Sequence, residues 1–145
     1  MASDRWTPKR VEKWRDEHEL DVADFVTGIV NGLHEHITSW INDNLPDAGG
    51  EERALARVAL AGSIVDAAFD LRTWQAALAH NSEISKSAIA AAAGLDRLSK
   101  VDRWPGFAEL ADADRWAWEN READPKPVTG RSGIPITVSR YAAER

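Results

Sequence analysis

The sequence predicts an all-α protein, a helical bundle built around one long central helix. Two observations carry this prediction: an alanine-rich stretch without proline from Glu51 to His80, and an apolar repeat of three and four residues over residues 22–42. Alanine is the best helix former, and such a repeat places apolar side chains on one helix face. At 145 residues, the chain suits one domain that buries roughly 68–70% of the surface its unfolded form exposes.

The first predicted helix begins at Thr7-Pro8 and runs to about Glu19. Threonine is a favoured N-cap, and proline suits the first helical position because its missing N–H would be unpaired there anyway. Val11 and Trp14 fall on one face of this helix. Residues 1–5 are expected to be a frayed end.

A second helix is predicted from Val22 to Asn42, with Asp21 as its N-cap. Its apolar positions form one continuous stripe of about six turns. Residues 44–50 hold a proline and two adjacent glycines, so they predict a short turn and an antiparallel pairing with the next helix. The stripe consists of Val22, Phe25, Val26, Ile29, Val30, Leu33, Ile37, Trp40 and Ile41.

The central helix carries two apolar faces. A surface helix of a globular protein carries a single stripe, so two faces predict that this helix is buried between neighbours. One face holds Leu55, Val58, Val65 and Phe69, and the nearly opposite face holds Leu60, Ile64, Ala67, Leu71, Trp74 and Leu78.

Two short helices are predicted next, Ser85–Ala93 and Asp96–Trp104, with Gly94 as the break between them. Pro105 ends the second and permits a further helix over residues 106–121. In that last helix, the residues expected to face inward are Phe107, Leu110, Ala111 and Trp118, whereas Trp116 is expected to point away.

Residues 1–123 are therefore expected to form a single helical domain. The remaining residues, 124–145, are rich in proline and glycine and predict an irregular tail. Within the tail, Ile134–Val138 has the composition of one short strand, which needs a partner strand to be stable.

The segment from Ser85 to Trp104 contains Ile89-Ala90 and Ala93-Gly94-Leu95, and these residues resemble the signature of helix-turn-helix DNA-binding proteins. In that family, isoleucine or valine precedes alanine, and two variable residues later come alanine, glycine, and valine or leucine. The small residue four before the glycine lets the helices cross closely, and the glycine adopts the turn conformation. Here Val101 follows Gly94 by seven residues rather than the usual six, so one extra residue must be absorbed.

The resemblance implies that the second short helix enters the major groove of double-stranded DNA. Arg97 and Lys100 would then read guanine or hold phosphate, and Ser99 could do either. Leu98 and Val101 would form the buried face. The DNA-facing residues implied in this way are Ser85, Lys86, Arg97, Ser99, Lys100 and Arg103.

The expected function is sequence-specific DNA binding by a transcriptional regulator, and a homodimer is expected because operator sites are commonly two-fold. One alternative is a plain helical corner in a protein-interaction, accessory or inhibitor module that does not bind DNA. The acidic charge, the seven tryptophans and the tail strand favour this alternative.

Charge and composition narrow the class of protein. The net charge of −6 argues against wholesale electrostatic binding to nucleic acid but leaves room for a local basic surface. The absence of cysteine fits a reducing cytoplasm, where we expect the protein. No apolar run approaches the ~20 residues of a membrane span, and the N-terminus lacks the apolar region of a signal peptide.

Catalytic and metal sites are not expected, nor is any cofactor. His34 and His36 are two residues apart on a helix, so they project about 200° from one another and cannot hold one ion together. Asp66 and Asp70 lie one turn apart and could serve acid–base chemistry or bind a divalent ion. Ion pairing with an arginine is the favoured interpretation, since buried charges must be paired. The sequence has no phosphate loop, GxSxG motif or cysteine nucleophile, so an enzyme is not predicted.

Overall fold

A computed structural model describes residues 6–120 and 126–138 of the chain. The all-α class is confirmed: helices dominate, accompanied by one short 3₁₀ turn and a two-stranded antiparallel ribbon. The elements are α1 (Pro8–Glu17), α2 (Glu19–Asn44), α3 (Gly50–Asn81), α4 (Lys86–Ala92), the 3₁₀ turn (Val101–Arg103), α5 (Phe107–Glu119), β1 (Lys126–Thr129) and β2 (Pro135–Val138).

The first helix boundary follows the prediction, and the second does not. The backbone N–H of Arg10 donates to Thr7 Oγ1 over 3.3 Å, so Thr7 caps α1 as expected. The second helix begins at Glu19, with His18 at the N-cap position and no side-chain cap bond. Asp21 therefore lies inside the first turn, where its charge complements the helix dipole.

The chain divides into two compact units, and the division falls within α1 and α3. Asp16–Asp66 forms one, which we call the helical hairpin unit. Met1–Arg15 and Ala67–Arg145 together form the other, which we call the corner unit.

In the helical hairpin unit, α2 and the first part of α3 are antiparallel, as the short turn predicts. Arg57 Nη1 donates to Thr38 Oγ1 over 3.0 Å, and Arg53 Nη1, one turn earlier, donates to the Leu45 carbonyl over 3.2 Å. Ile41 is fully buried beside this turn, and the Leu45 N–H closes α2 by donating to the Ile41 carbonyl.

The prediction that both apolar faces of the central helix are buried is wrong for the helical hairpin unit. Leu55 is 72% exposed and Val58 71% exposed, and the N-terminal half of the α2 stripe, including Phe25 at 69%, is also open to solvent. The periodicity identified the helices correctly, but it did not reveal which apolar face the chain itself covers. An apolar surface of this kind is a feature of interaction sites.

The corner unit holds the main core, in which α3, α4, the 3₁₀ turn, α5 and the ribbon all contribute. On α5, Phe107, Leu110 and Ala111 are buried as predicted, but the prediction for the two tryptophans is reversed. Trp116 packs against the core, whereas Trp118 is largely exposed. The core consists of Ala76, Ala77, Ile89, Ala90, Val101, Phe107, Leu110, Ala111, Ala113, Ala117 and Val138.

The tail is more regular than the sequence predicts. Its expected strand forms as β2, and its partner is β1 of the same tail, in antiparallel register with Lys126 opposite Val138. Val138 is buried in the core, so the ribbon completes the corner unit. Residues 121–125, which include the predicted end of the last helix, and residues 139–145 lie outside the described residues.

Candidate nucleic-acid interface

The candidate interface is the corner segment, residues 85–104, and α4 positions its first half. The Ser85 hydroxyl accepts a hydrogen bond from the Ala88 N–H over 3.2 Å, which caps α4. The inward residues Ala88, Ile89 and Ala90 are buried. A helix of this length is marginal in isolation, so this packing is what holds it in place.

Gly94 makes the break that the sequence predicts. Its φ is +76°, a left-handed conformation that a side chain would penalise. The Leu95 N–H donates to the Ala90 carbonyl over 2.9 Å and the Gly94 N–H to the Ala91 carbonyl over 3.0 Å. These two bonds form the Schellman motif that ends many helices.

The expected second helix, Asp96–Trp104, does not form. Asp96 begins a local turn instead, because its Oδ1 accepts from the Leu98 N–H over 2.7 Å and its carbonyl accepts from the Ser99 N–H over 2.9 Å. Trp104 precedes proline and is extended, with a ψ of 138°. Between these two limits only the 3₁₀ turn Val101–Arg103 is helical.

The corner segment is nevertheless anchored at its end. Val101 is fully buried in the core, as predicted, and Trp104 packs against the same core. Leu98, which was expected to be buried beside Val101, is 80% exposed. The loss of helical geometry explains this difference, since residues three apart share a face only while the helix continues.

The implied DNA-facing cations occupy exposed positions of this anchored segment. Arg97, Lys100 and Arg103 are all exposed, and Arg97 pairs with Glu12 of α1 over 3.6 Å. Among the described residues, Lys100 and Arg103 form no salt bridge. Lys100 directly precedes the 3₁₀ turn, and Arg103 is the last residue of that turn.

The other implied residues lie at the start of α4 or within the turn. The hydroxyl of Ser85 is occupied by its cap bond, and Ser99 is half-buried. Lys86 is exposed and pairs with Asp102 over 2.9 Å. That ammonium donates to the Asp102 carboxyl and holds the pKa of the carboxyl below its ordinary value.

α1 supports the corner segment through a contact that the sequence did not predict. Arg15 Nη1 donates to the Ala91 carbonyl over 3.3 Å, so a cation completes the C-terminal end of α4. The same guanidinium lies so close to Gly94 that a Cβ there would be 3.1 Å from it. No sequence motif links residues 15 and 91, because the contact depends on the tertiary fold.

The net negative charge of the protein comes from the helical hairpin unit. Asp16–Asp66 holds 11 acidic and 2 basic residues, a net charge of −9. The sequence assigned to the corner unit holds 16 basic and 13 acidic residues, a net charge of +3. The overall charge of −6 therefore does not describe the charge of the candidate interface.

Asp66 and Asp70, the pair considered for acid–base chemistry, lie in different environments. Asp66 is exposed, whereas Asp70 is buried and accepts hydrogen bonds from the Arg131 and Ser132 N–H groups, each over 2.9 Å, and from the Ser132 hydroxyl. Burial alone would raise the pKa of the Asp70 carboxyl, but these donors and the nearby Arg131 charge outweigh it and lower the pKa. Asp70 thus anchors the loop between β1 and β2, a role for which the sequence offered no signal.

The remaining candidates give no second site. His34 and His36 are exposed on α2, and no group of three or more His, Cys, Asp or Glu residues is arranged to hold a metal within residues 6–120 and 126–138. Across the same residues, every helix is too short or too polar to span a membrane.

Comparisons of the chain with protein-family models, curated proteins and solved structures gave no match.

Proposed function

We propose that this protein binds double-stranded DNA in a sequence-specific manner through the corner segment, as a transcriptional regulator. One observation carries the proposal: Val101 and Trp104 fix the segment to the core while Arg97, Lys100 and Arg103 are exposed on it. Cations on an anchored backbone lose less conformational freedom on binding than cations on a free loop. Such a segment is therefore suited to binding the rigid surface of a DNA duplex.

The chemistry of these side chains matches what DNA offers. Lysine and arginine contact phosphates, which fixes the register of a protein on the duplex, and arginine reads guanine through two hydrogen bonds. Leu98, exposed between the cations, can contact the methyl group of thymine, as apolar side chains do in the major groove. The charge of +3 in the corner unit favours the approach of the polyanion to this unit over the acidic helical hairpin unit.

A homodimer is part of this proposal. Two-fold operators are read by two-fold dimers, so a regulator needs a self-complementary surface. The exposed apolar residues of the helical hairpin unit, such as Phe25, Leu55 and Val58, supply one.

The test is fluorescence anisotropy with the full-length protein and labelled duplexes from its own genomic neighbourhood. We expect a subset of these duplexes to bind at about 50 mM salt, and Arg97→Ala, Lys100→Ala and Arg103→Ala each to weaken binding. Arg115→Ala is the matched control, since Arg115 is an exposed arginine of the same unit whose hydrogen-bond partners, Asn81 and Asp112, lie outside the corner segment. Failure of every duplex to bind at low salt would reject the proposal.

The second candidate is a protein-interaction or accessory module without DNA binding. The apolar surface of the helical hairpin unit favours it, because a surface this apolar marks an interaction site whether or not DNA is involved. Affinity capture with tagged protein separates the two candidates. Recovery of one stoichiometric protein partner, together with no DNA binding by the anisotropy test, would favour the module over the regulator.

A further inference from the structure

A groove of about 530 Å³ lies in the corner unit between α1, the C-terminal part of α3, and α4. Its walls are almost wholly apolar and include Trp6, Trp14, Leu71 and Ile89. Small-molecule sites typically occupy roughly 300–1,000 Å³ and combine apolar walls with a few polar groups. The size and lining of this groove are therefore those of a ligand site.

Arg72 is the one charged side chain among the described residues that line the groove. Its guanidinium carbon lies 4.4 Å from the centre of the Trp104 ring and 5.0 Å from that of Phe69, two rings outside the groove lining that hold the charged group beside the groove. Its Nε is buried and has no hydrogen-bond partner in the described part of the chain. A partly buried cation is costly without an opposite charge, and no carboxylate of residues 6–120 and 126–138 forms a salt bridge with Arg72.

The neighbouring charges do not supply that carboxylate. Asp70, two residues away in sequence, directs its oxygens to Arg131 and Ser132. Arg131 stacks on the same Phe69 ring at 4.9 Å, which adds positive charge rather than negative. The local electrostatics therefore favour an anion.

We propose that this groove binds a small amphipathic organic acid, whose apolar body lies against Trp6, Trp14 and Leu71 and whose carboxylate pairs with Arg72. The two tryptophan rings offer flat apolar area, and the guanidinium matches a carboxylate through two parallel hydrogen bonds. This site does not depend on DNA binding, so its test uses ligand binding alone.

The experiment is isothermal titration calorimetry of the full-length protein with decanoate below its micelle concentration. Decanol, which has the same chain length without the charge, is the matched ligand. We expect saturable binding of one decanoate per chain and at least tenfold weaker binding of decanol. The intrinsic tryptophan fluorescence should change in parallel, because Trp6 and Trp14 line the groove.

Four variants place the binding in this groove. Arg72→Gln should weaken decanoate binding about tenfold, and Arg72→Lys, which keeps the charge, should weaken it less. Ala92→Phe adds a ring at an exposed position of the groove wall and should abolish binding. Arg115→Gln removes the same charge from an exposed position outside the groove and should leave binding unchanged.

Several results would overturn the proposal. Absence of saturable binding, or full affinity in Ala92→Phe, would show that the groove is not the site. Equal affinity for decanol would show that Arg72 does not pair with the carboxylate. If Ala92→Phe instead changed the oligomeric state, the groove would be covered by a second copy of the chain rather than by an acid. Thermal unfolding of each variant establishes that a loss of binding is not a loss of fold.

Discussion

The buried carboxylate of Asp70 links α3 to the loop of the C-terminal ribbon, and its effect on stability depends on its charge. Asp70 is 3% exposed and accepts three hydrogen bonds from Arg131 and Ser132. Gly130 permits this close approach, because a Cβ at that position would lie 2.5 Å from Asp70 Oδ1. Asparagine in place of Asp70 would put a side-chain amide donor against the N–H and O–H donors of Arg131 and Ser132.

Asp70→Asn should lower the free energy of unfolding at pH 7 by about 1–3 kcal/mol, as expected for buried donors left unpaired. The folded-state pKa of Asp70 is lower than its unfolded value, so its stabilising effect is complete above the unfolded pKa of about 3.9 and is lost as the pH falls through the folded value. Urea denaturation at several pH values measures this. The difference between wild type and variant should shrink below about pH 4, and a constant difference would contradict the assigned role of the charge.

Glu12 moderates the candidate interface by pairing with Arg97 over 3.6 Å. Both side chains are about half exposed, so the pair contributes little to stability, and its removal mainly frees the guanidinium. Glu12→Gln should therefore tighten DNA binding about two- to fivefold, as expected from a surface pair of roughly 0.5–1 kcal/mol. Anisotropy titration measures the change. Glu109→Gln removes the same charge from α5 and should have less effect; equal effects would mean that only net charge matters.

Among the structural elements, the turn after α4 depends on one glycine. Gly94→Ala should destabilise the protein by about 1–2 kcal/mol, because alanine is penalised in the left-handed conformation. Gly28→Ala is the opposite case: Gly28 lies inside α2 with nothing within 4 Å of an added Cβ, so the variant should be more stable by about 0.4–1 kcal/mol. Thermal unfolding compares the two. Equal melting temperatures would contradict the strain assigned to position 94.

The elements that the sequence predicted well are those set by local chemistry. Thr7, Ser85 and Gly94 act at helix ends as caps or breaks because a hydroxyl or a missing side chain decides the backbone there. The helix expected after Gly94 failed for a competing local reason: Asp96 bonds to its own turn, and Pro105 limits the other end. The pattern of charges and apolar residues could not reveal that competition.

The tertiary contacts of the candidate site were beyond sequence reasoning. Trp116 packs against the core and Trp118 is largely exposed, which is the reverse of what the helical pattern of α5 predicts. Similarly, the contacts of Arg15 with Ala91 and of Asp70 with Arg131 join residues more than 60 positions apart. Only the folded chain identifies such partners.

For the whole molecule, self-association should run through the apolar surface of the helical hairpin unit. Phe25→Glu should shift the protein toward the monomer, because it places a charge within the exposed stripe. Asn31→Glu adds the same charge to the side of this exposed helix opposite the centre of the stripe and should leave association intact. Sedimentation velocity measures the distribution. A monomeric wild type, or equal effects of the two variants, would contradict the proposed dimer surface.

The helical hairpin unit and the corner unit carry net charges of opposite sign, so salt should have opposite effects on dimer formation and on DNA binding. Salt screens the repulsion between two copies of a unit with a net charge of −9, and so it should strengthen the dimer. Salt weakens binding to DNA, because phosphate contacts release counterions. Sedimentation and anisotropy at the same salt concentrations therefore distinguish a dimer effect from a DNA effect.

The most direct measurement is the salt dependence of DNA affinity for the wild type, Arg103→Ala and Arg115→Ala. The plot of log affinity against log salt should be linear, and its slope should be smaller by about 1 for Arg103→Ala because one phosphate contact is lost. The slope of Arg115→Ala should equal that of the wild type. Equal slopes for all three proteins, or no measurable affinity at low salt, would contradict DNA binding through the corner segment.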